Sequence, residues 1–310
     1  MEFLSQYGLF LLKTLTVVIA FLVIFAGFFS MSRKPRPKLE VTSLNEHYEH
    51  LHSSMSKEIL GKKLPKKKKD KKQPTLYVID FHGDLKASQV EQLREEITAI
   101  LCIAKPEDEV LVRLDSPGGV VNSYGLAASQ LQRIRDKNIP LTISIDKIAA
   151  SGGYLMACVA NHIIAAPFAI IGSIGVVAQM PNFHRWLKNH NIDVELLTAG
   201  EYKRTLTIFG ENTEKGRKKF QEDLEKIHTA FRNYVANNRE ELDIDKIATG
   251  EHWLAKDAFD LKLVDKLSTS DDYLIQKMSE YKAFKLAIPP KASLANKLLK
   301  PVIRFMHPWG

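Results

Sequence analysis

A serine flanked by small residues is the first feature that could do chemistry. Ser151 lies in the stretch AASGGY, whose alanines and glycines leave its hydroxyl accessible to a substrate. The arrangement follows the logic of the nucleophile elbow of hydrolases, although G-x-S-x-G itself is not matched. A serine that merely caps a helix would have the same surroundings. The motif alone therefore leaves both interpretations open.

A nucleophilic serine needs a base that takes its proton. The histidines at positions 82, 162, 184, 190, 228 and 252 show no triad signature, and we interpret them as surface or satisfied core residues. The alternative base is a lysine with a neutral amine, which burial and nearby dipoles can produce. Lys203, in the stretch TAGEYKR, is such a candidate. A solvated surface charge is the other interpretation of Lys203.

A glycine pair supplies the third element of a possible site. Gly118 and Gly119 end the stretch DSPGG, which follows a predicted strand and precedes a predicted helix. Glycines at such a turn let backbone N–H groups face a cleft, where they can bind a phosphate or stabilise an oxyanion. An ordinary tight turn would have the same composition.

The elements around these clusters alternate between strand and helix. Strands are predicted at residues 75–81, 109–114, 141–145, 162–166 and 193–198, and helices at 88–101, 122–137, 154–160 and 213–238, the first of these capped by Ser88. A short amphipathic helix is expected between residues 39 and 60. This alternation predicts an α/β fold with mostly parallel strands. The uncharged stretch 148–180 is interrupted by glycines and a proline, so we interpret it as soluble core.

The positive charge of the chain is confined to one segment. Residues 31–74 hold 13 Lys/Arg and 5 Asp/Glu, a net of +8, and the other residues hold 31 of each sign. The folded domain is therefore neutral, which argues against nucleic acid as a partner. The basic segment is expected to be a linker that can contact anionic lipid. Cys102 and Cys158 are expected to be buried free thiols.

The N-terminus carries an apolar run. Residues 9–29 contain Lys13 as their one charge, and as a helix they would span roughly 30 Å. A cleaved signal peptide is the alternative, but the charged region before the run is poor and no clear A-x-A site follows it. We therefore predict an N-terminal transmembrane anchor over 1–30, a basic linker over 31–74, a catalytic domain over 75–270 and a C-terminal tail over 271–310. Within the tail, residues 293–306 could lie on a membrane surface or dock on a neighbour, and a simple frayed tail is the alternative.

Ordered motifs across the chain resemble the SohB-like branch of the signal peptide peptidase A family. They are LVRLDSPGGVV, IAASGGYLMACVA, IGSIGVV, GEYKRTLTIFGENTEKGRKKF and ATGEHWLAKDAFDLKLVDKL, which together cover about residues 75–270. The resemblance implies a ClpP/crotonase-type α/β spiral and a serine endopeptidase with a Ser/Lys dyad, without metal or cofactor.

The resemblance also implies a role for each candidate residue. Ser151 would be the nucleophile, Lys203 the general base, and Ser173 of GSIG the residue that orients the lysine amine. Gly118 and Gly119 would form the oxyanion loop. Asp115 departs from the family pattern, since relatives often carry Asn or Glu there, and a carboxylate beside an oxyanion would oppose its charge.

Partners and location follow from the same resemblance. The expected substrates are peptides, such as signal-peptide remnants, or unfolded and membrane-associated proteins, and the expected assembly is a homo-oligomer. The expected location is the bacterial inner membrane. Basic residues after the apolar run favour a cytoplasmic domain, whereas the family favours the periplasm. A crotonase-like acyl-CoA enzyme and an inactive membrane scaffold are the alternative functions.

Overall fold

The computed structural model describes residues 2–32, 39–61 and 73–288. Its helices are α1 (Glu2–Ser32), α2 (Leu44–Leu60), α3 (Val90–Leu101), α4 (Val121–Arg135), α5 (Gly152–Ala157), α6 (His184–Asn189), α7 (Glu214–Asn238), α8 (Ile244–Ile247), α9 (Ala255–Asp260) and α10 (Ser270–Lys277). Its strands are β1 (Glu40–Ser43), β2 (Thr75–His82), β3 (Glu109–Asp115), β4 (Leu141–Ile145), β5 (Ile148–Ala150), β6 (His162–Ala165), β7 (Ile170–Gly172), β8 (His252–Leu254), β9 (Lys266–Leu267) and β10 (Lys282–Ala287).

The strands of the described residues form two sheets. The larger has seven strands in the order β1-β10-β2-β3-β4-β6-β9, all parallel to their neighbours except β1, which is antiparallel to β10. The smaller has the order β5-β7-β8. A bridge between Ser116 and Ala149 joins the end of β3 to β5, so the two sheets meet where the predicted site residues lie. The predicted α/β fold with mostly parallel strands is confirmed.

The main sheet is covered on both faces. Alternate side chains of β2 point to opposite sides: Ile79 joins the large core that includes residues of α3, α4 and α5, and Val78 joins a smaller core with Leu274 of α10. A strand that is buried on both faces has a continuous apolar sequence, as residues 76–79 and 110–112 do. The helices α3, α4 and α5 lie side by side, which is the arrangement of successive strand–helix units. The ClpP/crotonase-type spiral stays a prediction.

Two local predictions are wrong. Ser88 does not cap α3, because its hydroxyl donates to Asp84, and the N-cap residue is Gln89. Residues 193–198 do not form a strand, and their side chains are exposed. An extended segment needs a neighbouring strand for its backbone hydrogen bonds, and the described residues place none beside it. Helix α7 agrees with the helix predicted over residues 213–238, and Thr213 is its N-cap residue.

The N-terminal apolar run is helical. The predicted anchor, residues 9–29, lies within α1, where the side chains of residues 6–22 are exposed. A search of the described residues finds no helix with both the length and the apolarity needed to cross a membrane. The structure therefore gives the predicted transmembrane anchor no support. The predicted C-terminal membrane contact, residues 293–306, lies outside the described residues.

The compact unit extends beyond the boundaries expected for the catalytic domain. It spans Leu39–Ile288, whereas the prediction was 75–270. The reason is that β10 inserts between β1 and β2, so strands from both flanks complete the main sheet. Helix α2 forms as expected between residues 39 and 60 and is capped by Ser43. The prediction for Cys102 is wrong, since this free thiol is exposed at the end of α3, whereas Cys158 is buried.

Candidate active site

The backbone of Ser151 has a conformation that serine rarely adopts. Ser151 stands between β5 and α5 with φ 51° and ψ −119°. A positive φ in a residue with a side chain stores about 1–3 kcal/mol of strain and persists only where neighbours fix it. Here the Ser151 N–H donates to the Gly172 carbonyl at 2.8 Å, and the Ser151 carbonyl accepts from the Leu155 N–H at 3.0 Å. Ser151 is thus held at a strand-to-helix turn, as the nucleophile-elbow logic requires.

The predicted glycine loop packs directly against Ser151. Gly118 has φ +88°, and a Cβ built on it would lie 2.8 Å from the Ser151 Cβ and 2.6 Å from the Gly152 nitrogen. Only glycine combines this backbone with such close approach. The bond from Ser116 N–H to the Ile148 carbonyl, 2.8 Å long, ties the start of the loop to β5. The structure therefore brings Ser151 and the glycine pair together.

The N–H groups of this loop differ in their partners. The Gly118 N–H donates to the Ser116 Oγ at 3.2 Å. The Gly119 N–H has no hydrogen-bond partner among the described residues. Gly152 is the first residue of α5, and the N–H of a first residue has no partner within its own helix. Of these three glycines, Gly119 and Gly152 therefore have N–H groups without a partner among the described residues, whereas the Gly118 N–H supports the loop.

Two buried side chains stand behind the loop. The Ser116 Oγ lies 2.7 Å from the Tyr124 hydroxyl, which donates to the Asp84 carbonyl at 2.8 Å. Ser116 and Tyr124 are both 0% exposed. Burial raises the pKa of Tyr124, so its hydroxyl keeps its proton and remains a donor. These hydrogen bonds connect the glycine loop to the loop that follows β2.

Ser173 lies on the strand edge next to Ser151. It follows Gly172, whose carbonyl binds the Ser151 N–H, and it has φ 54°. Its own N–H donates to the Glu251 carbonyl at 2.6 Å, and its side chain is half-buried. The structure therefore places Ser173, the predicted supporting serine, beside the segment that carries Ser151.

Lys203 is not joined to this cluster within one chain. Its side chain is exposed, and its backbone N–H donates to the Gly200 carbonyl at 3.2 Å. Over residues 73–288, no hydrogen bond or ion pair links the Lys203 amine to Ser151 or Ser173. Lys203 lies in a segment, residues 177–209, that exposes several large apolar side chains. Among them are Val177 and Leu197, each 90% exposed.

The carboxylate of Asp115 has charged or polar partners, so it is not an unpaired negative charge near the predicted oxyanion position. One of its carboxylate oxygens lies 3.3 Å from the Lys147 Nζ and 3.7 Å from the His82 Nδ1. Its backbone carbonyl accepts from the Gly83 N–H at 2.8 Å. The carboxylate thus has positive or polar partners of its own at the end of β3.

Three residues that shape this site are not among those predicted from the sequence. The motif marks Gly152 only as a small neighbour of Ser151, although an N–H directly after a nucleophile is a known oxyanion donor. Ser116 sits inside the DSPGG motif, and its position was a usable signal. Tyr124 gave a weaker one, as a polar-tipped aromatic in the first turn of the helix after the glycine pair.

Comparisons with known proteins agree with this architecture. Residues 133–285 match peptidase family S49, and residues 2–131 match the N-terminal part of the same family. The chain is 47% identical to a probable protease SohB of Haemophilus influenzae, over 96% of this chain and 92% of that protein. It is 50% identical to a probable protease SohB from the Schlechtendalia chinensis subspecies of Buchnera aphidicola, over 89% of this chain and all of that protein.

One solved structure is also similar. It is a mutant of the 1510-N membrane-bound stomatin-specific protease in complex with a substrate peptide, with 16% identity and a TM-score of 0.46 over 75% of this chain and 99% of that one.

An α/β unit with a strained serine at a strand-to-helix turn, packed against a glycine loop, has the arrangement expected of a hydrolase. The family matches make the class specific, and the chain belongs to peptidase family S49. Within that family it is SohB-like, being similar over most of its length to proteases of that name. The protein is therefore a peptidase.

Proposed function

We propose that the protein is a serine endopeptidase in which Ser151 is the nucleophile and Lys203 is the general base. The observation that carries the proposal is the strained Ser151 backbone, with Gly118 packed against its Cβ. In the proposed site, the Ser151 hydroxyl faces the N–H groups of Gly119 and Gly152, which have no hydrogen-bond partner among the described residues. An acyl-transfer site needs a nucleophile and oxyanion donors in that relation.

The mechanism follows from these positions. The neutral amine of Lys203 takes the proton of the Ser151 hydroxyl, and Oγ attacks the carbonyl carbon of the scissile peptide bond. The N–H groups of Gly119 and Gly152 hold the negative charge of the tetrahedral intermediate. The lysine ammonium then protonates the leaving amine. A water molecule, deprotonated by Lys203, hydrolyses the acyl-enzyme and restores the serine.

The base is proposed to come from a second copy of the chain. A lysine acts as a base only where burial or dipoles favour its neutral amine, and Lys203 is exposed in the single chain. Docking of its apolar segment on a neighbour would bury the amine and bring it towards Ser151 and Ser173. This agrees with the homo-oligomer that the family resemblance implies.

Variants of the two residues test the dyad. Ser151→Ala and Lys203→Arg should each abolish cleavage of an unfolded protein or a hydrophobic peptide, since guanidinium cannot serve as a base at neutral pH. Ser129→Ala, at an exposed serine of α4, and Lys188→Arg, on α6, are the matched controls and should keep full activity. Undiminished turnover by Ser151→Ala would disprove the proposal.

Mixing inactive chains tests where the base comes from. Ser151→Ala chains combined with Lys203→Ala chains should regain activity if each site takes its serine and lysine from different copies. A mixture that stays inactive, although the chains co-assemble in light scattering, would place the dyad within one chain. A monomer that is active by the same measurement would refute the assembly altogether.

The alternative functions make different predictions. A crotonase-like enzyme would share the oxyanion loop but act on an acyl-CoA thioester, and it would give Lys203 no role. An inactive scaffold would not react with a serine-directed fluorophosphonate probe. Labelling that is lost in Ser151→Ala supports the peptidase over both alternatives.

Membrane attachment is a separate proposal that rests on the amino-acid sequence alone. The apolar run at residues 9–29 and the basic segment 31–74 carry it, whereas the described helices do not support a span. The proposed location is the bacterial inner membrane, and the side that holds the catalytic unit is open. Recovery of the intact protein in the soluble fraction of lysed cells would overturn the attachment, and a C-terminal reporter fusion would identify the side.

A further inference from the structure

A directed chain of hydrogen bonds runs behind the glycine loop. The Tyr124 hydroxyl has one proton, and it donates that proton to the Asp84 carbonyl, which can only accept. In the 2.7 Å contact with Ser116, the Tyr124 oxygen is therefore the acceptor and the Ser116 hydroxyl is the donor. The Ser116 Oγ in turn accepts from the Gly118 N–H at 3.2 Å. Each group in the chain has the partner that its chemistry requires.

These hydrogen bonds determine which backbone N–H of the glycine loop has no partner among the described residues. Because Ser116 occupies the Gly118 N–H, the following peptide N–H, that of Gly119, is the one left without a partner among the described residues. The loop is also fixed on its other side, where the Val120 N–H donates to the Leu85 carbonyl at 2.9 Å. Asp84 and Leu85 belong to one loop, so the glycine pair is clamped to that loop at two points.

Tyr124 also contacts the second donor. A Cβ built on Gly152 would lie 2.4 Å from the Tyr124 Cγ, so the tyrosine ring packs directly against the Gly152 backbone. The ring of Tyr124 therefore packs against Gly152, and the hydroxyl of Tyr124 is linked to the Gly118 N–H through the Ser116 hydroxyl. Tyr124 and Ser116 are both wholly buried, so neither can touch a substrate in this arrangement.

We propose that Tyr124 and Ser116 are positioning residues that fix the Gly119 and Gly152 N–H donors at the spacing needed by the tetrahedral intermediate. The inference rests on the proposed function, because it assumes that Ser151 attacks a carbonyl at this place. Oxyanion donors act only when they are aimed at the position that the charge occupies in the transition state. A displacement of about 1 Å in such a group can lower the rate about 100-fold.

The kinetic signature separates positioning from general support. Tyr124→Phe keeps the ring on Gly152 and removes the hydroxyl, and Ser116→Ala removes the next link. Each should lower kcat about 10- to 100-fold and change KM less than about twofold, because the donors act on the transition state. The kcat of the double variant should fall by no more than about the larger of the two single losses, since both changes break the same series of hydrogen bonds.

A matched variant controls for the loss of a buried tyrosine hydroxyl. The Tyr154 hydroxyl donates to the Leu263 carbonyl at 3.0 Å, and Tyr154 is also 0% exposed. Tyr154→Phe should lower the urea midpoint of unfolding about as much as Tyr124→Phe but should keep kcat. A peptide aldehyde, which forms a tetrahedral adduct with the serine, should bind Tyr124→Phe more weakly by the factor lost in kcat/KM.

The outcomes distinguish this inference from the proposed function. If Ser151→Ala keeps its activity, the proposed function fails and this inference fails with it. If Ser151→Ala is inactive while Tyr124→Phe keeps its kcat and its aldehyde affinity, only the positioning role is overturned. Equal losses of kcat in Tyr124→Phe and Tyr154→Phe would also overturn the positioning role, because both hydroxyls would then act only by stabilising the fold.

Discussion

Replacement of Gly118 by alanine separates the two demands that the site makes on this residue. The first is backbone conformation, since φ is +88° and a side chain there costs about 1–2 kcal/mol. The second is space, since the new methyl would lie 2.6 Å from the Gly152 nitrogen and 2.7 Å from the Ala150 carbonyl oxygen. Overpacking against backbone of this kind adds about 1–3 kcal/mol. The expected loss of unfolding free energy is therefore about 2–5 kcal/mol.

Gly250 offers a control with the same backbone and no crowding. Its φ is also +88°, and a Cβ built on it would meet nothing within 4 Å. Gly250→Ala should therefore show the conformational part alone, about 1–2 kcal/mol, and should keep its activity. The difference between the two variants in urea-unfolding free energy isolates the contact between Gly118 and the Ser151 segment.

Activity gives the second readout. The chain can relieve the overlap only by moving the loop away from Ser151, and a shift of about 1 Å should lower kcat about 100-fold in Gly118→Ala. The assay is peptide cleavage at a temperature where circular dichroism shows the variant to be folded. Equal stability losses in Gly118→Ala and Gly250→Ala, together with normal kcat in both, would refute the packing of the loop on the nucleophile.

Three further predictions follow from ionisable groups elsewhere in the fold. Burial raises the pKa of Glu96 to about 7, so stability that is full below about pH 4.5 should fall as pH rises through 7, by about 3 kcal/mol in all, and Glu96→Gln should remove this slope. Burial alone would raise the pKa of Asp265, but its hydrogen bonds with Arg239 and a backbone N–H hold that pKa below its usual range. Asp265 is partly exposed and its partner Arg239 is largely buried, so Asp265→Ala should cost about 1.5–3 kcal/mol in urea unfolding. Burial raises the pKa of Cys158 to about 12, so a disulfide reagent should label only the exposed Cys102 in the folded chain.

Neighbouring residues provide the controls for these predictions. Glu95 is exposed beside Glu96, so Glu95→Gln should leave the pH slope unchanged. Glu241 forms an exposed ion pair with Lys262, and Glu241→Ala should change stability by less than about 1 kcal/mol. A flat pH profile in the unmodified protein, an Asp265 effect as small as that of Glu241, or two labelled thiols per folded chain would contradict the respective prediction.

The sequence predicted the core strands and the meeting of two site segments. Continuous apolar runs such as residues 110–112 are typical of parallel strands buried on both faces, and they form the centre of β3 and its neighbours. The approach of DSPGG to Ser151 was implied by the family resemblance, and in the structure the bridge between Ser116 and Ala149 brings the two segments together. The free N–H groups could not be predicted, because their assignment depends on the contact of Ser116 with Tyr124, which only the folded chain shows.

Predictions also failed where local pattern competes with tertiary contact. The pattern S-x-x-E at Ser88 satisfied a capping rule, but the Asp84 carboxylate accepts the Ser88 hydroxyl and backbone N–H instead. Cys102 follows an apolar helix, yet it lies one position past the end of α3 and faces solvent. A helical repeat predicts which face is buried, but it says little about residues at helix ends.

The two halves of the proposed dyad differ in how firmly one chain holds them. Ser151 is fixed by hydrogen bonds on both sides and by Gly118, and these contacts are what allow its strained φ to persist. Lys203 stands on an exposed segment with no contact to the serine. If a second copy supplies the base, the energy that neutralises the lysine comes from burying that segment in assembly. A dissociated chain would then keep a preformed nucleophile and oxyanion hole but no base, and its proteolytic activity should rise with protein concentration.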